Sequence, residues 1–160
     1  MTPIKQQAGW HLCKWGLPVL FLVHNIEESF GMISFLHDRF RVEAVTQHQF
    51  TAAVAILTIL VFFLVLTFGK SKAFLLFLYG TIFFNAVQHI VLFAVFRAYN
   101  PGVLSACVIL VLFLLFFRQV RPFLERKLIR FILLGSLLTY PIATWAALWI
   151  GGFMSRISSY

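Results

Sequence analysis

Three ionisable residues share one face of a helix inside an otherwise apolar run: His24, Glu27 and Glu28. At 100° per residue they point the same way, and Gly31 continues their face, whereas Asn25 is predicted to point elsewhere. Each ionisable group inside a membrane span costs roughly 2.5 to 3.5 kcal/mol on insertion scales. Function normally explains such a cost, so we predict a functional site on this face.

A second polar stripe lies further along the chain, where Asn85 and His89 form an i, i+4 pair that Thr81 extends. Counting about 1.5 Å per residue from Leu36 and Phe96, the outer ends of the apolar runs, places Glu28 about 12 Å deep and His89 about 11 Å deep. His24 and Asn85 likewise fall at about 18 Å and 17 Å. The matched levels predict that Glu28 faces His89 and that His24 faces Asn85.

The residue types in these stripes suit a divalent metal ion. A His and a Glu four residues apart, with a second Glu beside the latter, resemble the inverted zinc-peptidase motif with its last His replaced. We predict His24, Glu28 and His89 as ligands, with Glu27 as general base or fourth ligand. Zinc suits this set, whereas use of both carboxylates favours iron or manganese. The predicted catalytic residues are therefore His24, Glu27 and Glu28, and the residues that support the ligands or contact substrate are Asn85, Gly31 and Thr81.

The composition predicts a membrane protein, because 61% of the residues are hydrophobic and only 11% are charged, against about 25% in soluble domains. The mean hydropathy is +0.93. Five apolar runs with short breaks predict a single all-α integral membrane domain over 1–160, a bundle of about five transmembrane helices. The predicted spans are 16–37, 48–68, 73–96, 103–117 and 128–152.

The distribution of basic residues predicts the orientation of the chain. Nine Lys and Arg fall on the side of the N-terminus and four on the other, and cytoplasmic loops are enriched in these residues. We therefore expect a protein of the cell (inner) membrane with a cytoplasmic N-terminus and an outer C-terminus. The net charge of +8 is assigned to loops that contact anionic headgroups, so that nucleic acid is not an expected partner.

The fifth predicted span contains Pro141, which is expected to bend its helix. Hydroxyl groups of Thr139, Tyr140 and Thr144 lie beside it. They either line a cavity at the depth of the polar stripes or mark only the bend.

These motifs, taken in order, carry a family resemblance. The set His24-x-x-Glu27-Glu28, Asn85-x-x-x-His89 and Pro101-Gly102 resembles the HXXEE-domain family of small multi-span bacterial membrane proteins. The resemblance covers residues 16–110 and implies a membrane-embedded protein, but it does not imply a particular activity. It implies that the characteristic residues are His24, Glu27, Glu28, Asn85 and His89.

Three functions remain open from the sequence. The first is a metal-dependent membrane enzyme acting on a lipid or other apolar small molecule that reaches the site through apolar walls. The second is a metal-free acid-base site, in an isomerase or a proton-coupled carrier, in which Glu27 and Glu28 share a proton. The third is a non-catalytic membrane subunit whose polar cluster only orders the bundle. The oligomeric state is not predicted.

Overall fold

A computed structural model describes residues 3–157 of the chain, and the side chains of residues 14–154. It is 87% helix, and the part it describes contains no strand, which confirms the predicted all-α class. A 3-10 turn at Arg121–Phe123 joins the last two helices. The helices are α1 (Pro3–Ser29), α2 (Met32–Phe40), α3 (Gln47–Phe68), α4 (Lys72–Phe96), α5 (Val103–Val120) and α6 (Arg126–Ile157).

Four helical stretches of the described chain are each long and apolar enough to cross a membrane. Three of them match the second, third and fifth predicted spans within two residues at each end, and the remaining stretch, Val103–Phe123, runs six residues beyond the predicted end at 117. Helix α6 continues through Pro141 without a break. A fifth crossing is reached if α1 and α2 together count as one broken span. The four stretches are Gln47–Phe68, Lys72–Phe96, Val103–Phe123 and Arg126–Met154.

The first predicted span, 16–37, is corrected by the structure, because it is not one straight helix. Its segments Lys14–Ser29 and Met32–Phe40 are bent by 56° relative to one another. Gly31 lies at the break, where glycine costs a helix about 1 kcal/mol relative to alanine. Its N–H donates to the Glu28 carbonyl and closes α1. Glu28 therefore lies one residue from the end of α1, and the depth counted for it through the bend to residue 36 is not valid.

The helices form a ring in the order α1, α3, α6, α4, α5 and back to α1. Helices α1 and α4 carry the two polar stripes and share few contacts of their own, because α5 packs beside both. The two stripes therefore meet across the interior of the ring rather than along a continuous helix interface. This arrangement leaves space between α1, α3, α4 and α6.

Small residues allow α6 to approach its two neighbours closely. A Cβ atom on Gly80 of α4 would lie 2.6 Å from the Ser136 hydroxyl of α6, and that hydroxyl donates to the Phe77 carbonyl at 2.8 Å. A Cβ atom on Gly151 would lie 2.6 Å from the Gln49 carbonyl of α3. Small residues with interhelical hydrogen bonds are typical of helix packing in membranes.

Two apolar clusters pack the helices against one another, one on each side of the polar residues along the bundle. The larger packs α1, α3, α4, α5 and α6 around Leu17, Tyr79 and Phe116, and all three side chains are fully buried. The smaller packs α2 onto α3, with Phe35 and Phe50 among its buried residues. The polar stripes lie between these clusters, so their side chains are shielded by apolar neighbours on both sides.

Candidate metal centre

Helices α1 and α4 bring together the three predicted metal ligands. His89 Nε2 lies 2.8 Å from Glu28 Oε1, and His24 Nε2 lies 3.7 Å from the same oxygen. One ligand atom from each residue falls within 4.8 Å of the other two, and all three residues are buried. The predicted contact between Glu28 and His89 is thereby confirmed.

The hydrogen bonds around His24 determine which of its ring nitrogens carries the proton. Ser105 Oγ donates to Glu27 Oε2 at 2.6 Å, so it accepts from His24 Nδ1 at 2.8 Å. The lone pair of His24 is therefore on Nε2, which accepts from Asn85 Nδ2 at 3.0 Å. This last bond confirms the predicted pairing of His24 with Asn85.

His89 is oriented in the same way by the loop between α4 and α5. The Asn100 amide donates from Nδ2 to the His89 carbonyl at 3.0 Å, which turns its Oδ1 toward His89 Nδ1 at 2.8 Å. Nδ1 therefore carries the proton and Nε2 the lone pair. Histidines that bind metals characteristically donate their second N–H to such an acceptor.

The Nε2 atoms of the two imidazoles and one carboxylate oxygen therefore lie together, and the lone pair on His24 Nε2 is engaged by Asn85. The 2.8 Å contact between His89 Nε2 and Glu28 Oε1 joins two acceptors unless a cation lies between them. A proton satisfies this requirement, and so does a metal ion. Ligand atoms around a tetrahedral zinc ion, at about 2.0–2.1 Å from it, lie roughly 3.3 Å apart. Two of the three observed separations, 2.8 and 3.7 Å, lie on either side of that value, and the third is within 4.8 Å.

Glu27 lies outside this group of three. Its carboxylate accepts hydrogen bonds from the Leu104 and Ser105 backbone N–H groups at 3.3 and 3.0 Å, and from the Ser105 hydroxyl. The fourth comes from the Tyr99 hydroxyl at 2.9 Å. Partial burial, and then this bond to Glu27, raise the pKa of Tyr99 above its ordinary value. Glu27 therefore caps the N-terminus of α5 and reaches His24 only through Ser105.

The loop before α5 also approaches both imidazoles directly. Gly102 has φ +96°, a left-handed conformation that favours glycine. A Cβ atom there would lie 2.8 Å from His89 Cε1 and 2.9 Å from His24 Cε1. The two rings meet edge to face, with centroids 4.7 Å apart. The Pro101-Gly102 pair thus packs against the centre that the stripes form.

The other predicted site residues have different neighbours. Thr81 lies in the wall of a cavity beside the centre, and its hydroxyl donates to the Phe77 carbonyl at 3.1 Å. Gly31 packs against Pro101, whose Cγ would lie 3.1 Å from a Cβ atom on Gly31. Gly31 therefore permits a close approach of the loop rather than of another helix.

Three residues that support the centre were not predicted from the sequence, and Asn25 and Gly102 were named there without a supporting role. Asn25 does point away from the stripe, but it is buried and donates to Thr58 Oγ1 at 2.6 Å and to the Val54 carbonyl at 3.2 Å on α3. A polar side chain inside an apolar run was the available signal, and Ser105 gave the same signal in α5. The three residues that were not predicted are Tyr99, Asn100 and Ser105.

A cavity of about 260 Å³ lies between α1, α2, α3, α4 and α6, and Glu28 and Asn85 form part of its wall. Most of its wall is apolar. The hydroxyl residues beside Pro141 line it from α6, which favours the first of their two predicted roles: Thr139, Tyr140 and Thr144.

The fold and this cluster define a helical bundle with a buried His-Glu-His centre open to an apolar cavity. The chain belongs to the family described as "Protein of unknown function with HXXEE motif", whose model matches residues 15–117. That match confirms the predicted resemblance, and it spans α1 to α5 but leaves α6 outside. No curated protein and no solved structure matches the chain significantly.

Proposed function

We propose that this protein is an integral membrane enzyme with five spans that acts on a lipid or other apolar substrate. A divalent metal ion, zinc, iron or manganese, is held by His24, Glu28 and His89. One observation carries the proposal: both imidazoles have their Nδ1 protons held by fixed acceptors, and the Nε2 atoms of both lie within 3.7 Å of the same oxygen of Glu28.

The donor set suits a catalytic rather than a structural metal site. Three protein ligands leave a coordination position for substrate or water, whereas structural zinc sites use four protein ligands. A metal held there supplies Lewis-acid polarisation of a substrate oxygen or activation of water. The cavity beside Glu28 gives an apolar molecule room next to that position.

The contacts of Glu27 favour a positioning role over the predicted role of general base or fourth ligand. To bind the metal, its carboxylate would have to leave four hydrogen bonds at the end of α5. Through Ser105 it instead holds the His24 ring in the tautomer that leaves Nε2 without a proton. Such outer partners raise the affinity of a site by about 10- to 100-fold.

The proposed membrane topology has the N-terminus in the cytoplasm and the C-terminus outside, with α1 and α2 as one broken span. It rests on the asymmetry of nine basic residues against four. A reporter fused after Tyr160 is expected to give the signal of the outer compartment, and one inserted within 69–72 that of the cytoplasm. The opposite pair of signals, or the same signal from both, would contradict the five-span orientation.

The metal itself is tested by elemental analysis of protein purified without chelator. We expect nearly one transition-metal ion per chain. His24→Ala, Glu28→Ala and His89→Ala are each expected to lose it, because each removes one of three ligands.

His48→Ala is the matched control, since His48 is exposed at the start of α3 and is expected to leave the metal content unchanged. Each variant is compared with wild type by thermal unfolding with and without chelator. The metal site would be refuted by a wild-type protein that carries no metal and whose unfolding temperature does not change when zinc, iron or manganese is added.

The second candidate function, metal-free acid-base chemistry, is favoured by the same 2.8 Å contact, because a proton shared between His89 and Glu28 also explains it. Such a pair suits an isomerase or a proton-coupled carrier. A wild-type protein that carries no metal, and that the single substitution Glu28→Ala strongly destabilises, would support this acid-base function. Retained stability when all three residues are replaced by apolar ones would instead support a non-catalytic membrane subunit.

A further inference from the structure

We propose that a pocket between α5 and α6 binds the phosphate group of an anionic phospholipid from the surrounding membrane. This arginine pocket lies at the end of the bundle where the two helices are connected, and Arg118, Arg121 and Arg126 line it. Arg118 lies thirteen residues along α5 from Ser105, the partner of His24, which corresponds to about 20 Å. The lipid site is therefore separate from the metal centre and goes beyond the proposed function.

The pocket exists because the described parts of α5 and α6 share few contacts with each other. Both helices pack against α4, which lies between them in the ring. The chain crosses from α5 to α6 through the 3-10 turn Arg121–Phe123 and through Leu124, which is extended with φ −127° and ψ 142°. Pro122, whose ring fixes φ near about −65°, suits this turn. The last turn of α5 and the first turn of α6 therefore lie on opposite sides of a gap.

Three positive charges line this gap. Arg118 and Arg121 are three residues apart, so their side chains leave the end of α5 on the same side. Arg126 is the first residue of α6. All three residues are exposed, and their guanidinium groups keep their charge in a folded protein. Basic pockets between transmembrane helices are typical binding sites for anionic lipid head groups.

No acid neutralises these charges in the part of the chain that the structure describes. No carboxylate there forms an ion pair with any of the three arginines. Glu125 is the only acid after residue 43 in the sequence, and it does not line the pocket. Like charges around one pocket repel one another, and a bound anion removes that repulsion. The charges of the pocket therefore favour an anionic ligand.

The chemistry of arginine favours a phosphate group as that anion. The planar guanidinium group donates two parallel hydrogen bonds to phosphate oxygens. A phosphodiester has two unesterified oxygens that share one negative charge, so two arginines can bind it while the third donates to another oxygen of the same head group. The amine of a zwitterionic head group would add a positive charge, which the arginines repel. The pocket is therefore expected to bind phosphatidylglycerol in preference to phosphatidylcholine.

The apolar part of the pocket wall favours a lipid over a free phosphate ion. Phe117 and Ile129 line the pocket, and both are part of the larger apolar cluster or pack against it. Leu114 and Leu115 lie one turn along α5 from Arg118, and both are exposed. The acyl chains of a lipid whose head group occupies the pocket would cover these side chains, whereas a free phosphate ion would cover none of them.

The proposal is tested by native mass spectrometry of the full-length protein mixed with equal amounts of phosphatidylglycerol and phosphatidylcholine. We expect each chain to retain one phosphatidylglycerol in preference to phosphatidylcholine. A triple variant with Arg118→Gln, Arg121→Gln and Arg126→Gln is expected to bind this lipid about tenfold more weakly, or worse, because each basic residue near a membrane surface contributes roughly fivefold. Wild-type protein that retains the two lipids equally would overturn the proposal without any variant.

The matched control is a triple variant with Lys70→Gln, Lys127→Gln and Arg130→Gln. It removes the same number of positive charges, from exposed residues that do not line the pocket. This control is expected to keep most of the preference for phosphatidylglycerol. If both triple variants lose that preference to the same extent, the general positive charge of the loops attracts the lipid, and the proposed pocket is not a binding site.

Thermal unfolding in phosphatidylcholine nanodiscs distinguishes a bound lipid from a free phosphate ion. Phosphatidylglycerol added to the nanodiscs is expected to raise the unfolding temperature of wild-type protein, because its head group joins α5 to α6, but not that of the arginine triple variant. Inorganic phosphate at the same concentration is expected to have no effect. An equal rise with inorganic phosphate would refute the lipid as the ligand, and no rise with phosphatidylglycerol in wild type would refute the site.

Discussion

Gly102→Ala is expected to destabilise the protein by about 2–5 kcal/mol and to weaken metal binding at least tenfold. The backbone at Gly102 has φ +96°, which costs a residue with a side chain about 1–2 kcal/mol. The new Cβ would also lie 2.8 Å from His89 and 2.9 Å from His24, closer than carbon atoms pack. Overpacking of this kind costs about 1–3 kcal/mol. This overlap is relieved only if the two imidazole rings move. Their Nε2 atoms then move away from Glu28, which weakens metal binding.

Gly135→Ala is the matched control, because the same methyl group is added elsewhere without a clash. A Cβ atom at Gly135 in α6 would lie 3.6 Å from Phe77, which is ordinary contact, and alanine stabilises a helix interior by roughly 0.5–1 kcal/mol. Unfolding temperature and metal affinity of both variants are compared with wild type. If the two variants have the same unfolding temperature and the same metal affinity, the loop does not contact the imidazoles as closely as the structure describes.

Helical periodicity was enough to predict the centre of the site. His24 and Glu28, and also Asn85 and His89, are i, i+4 pairs, so each pair shares a helix face whatever the rest of the fold does. Their depth then determined which residue meets which. The predicted depth of His89 remains valid, because α4 is continuous to Phe96. The predicted contact between Glu28 and His89 is confirmed although the depth of Glu28 was counted through a bend. The reason is that His24 and Glu28 keep their separation along α1.

The bend at Gly31 escaped prediction because hydropathy does not change there. The apolar residues continue through Phe30 and resume at Met32, so the run looks like one span. The break coincides with a tertiary contact, the approach of Pro101 to Gly31. A contact between residues about 70 positions apart has no local signal in the chain.

The supporting residues escaped prediction for a related reason. Ser105 and Asn100 matter only because α5 packs beside both α1 and α4. Hydropathy predicts which segments are helices, but it does not predict the order of the helices around the ring. The cavity depends on that order as well, and α6, which supplies Tyr140 and Thr144 to its wall, lies outside the matched family region.

Glu27→Gln is expected to lower the free energy of unfolding by about 2–4 kcal/mol, even though the side chain keeps its shape. The carboxylate accepts two hydrogen bonds on each oxygen, from Tyr99 and Leu104 on one and from Ser105 on the other. In glutamine one of these positions becomes an NH₂ group, which cannot accept from the donors that face it. Hydrogen bonds to charged groups contribute about 1.5–3 kcal/mol. The negative charge at the N-terminus of α5 adds roughly 0.3–1 kcal/mol.

The same substitution separates the two roles of Glu27. A positioning residue that acts through Ser105 on His24 predicts a fall of about 10- to 100-fold in metal affinity together with the loss of stability. A general base predicts neither, since only proton transfer would change. Glu43→Gln is the control: Glu43 is exposed between α2 and α3, and its replacement should change stability by less than about 0.5 kcal/mol. If Glu27→Gln matches Glu43→Gln in unfolding temperature and in metal affinity, Glu27 neither caps α5 nor orients His24, and the role of base is restored.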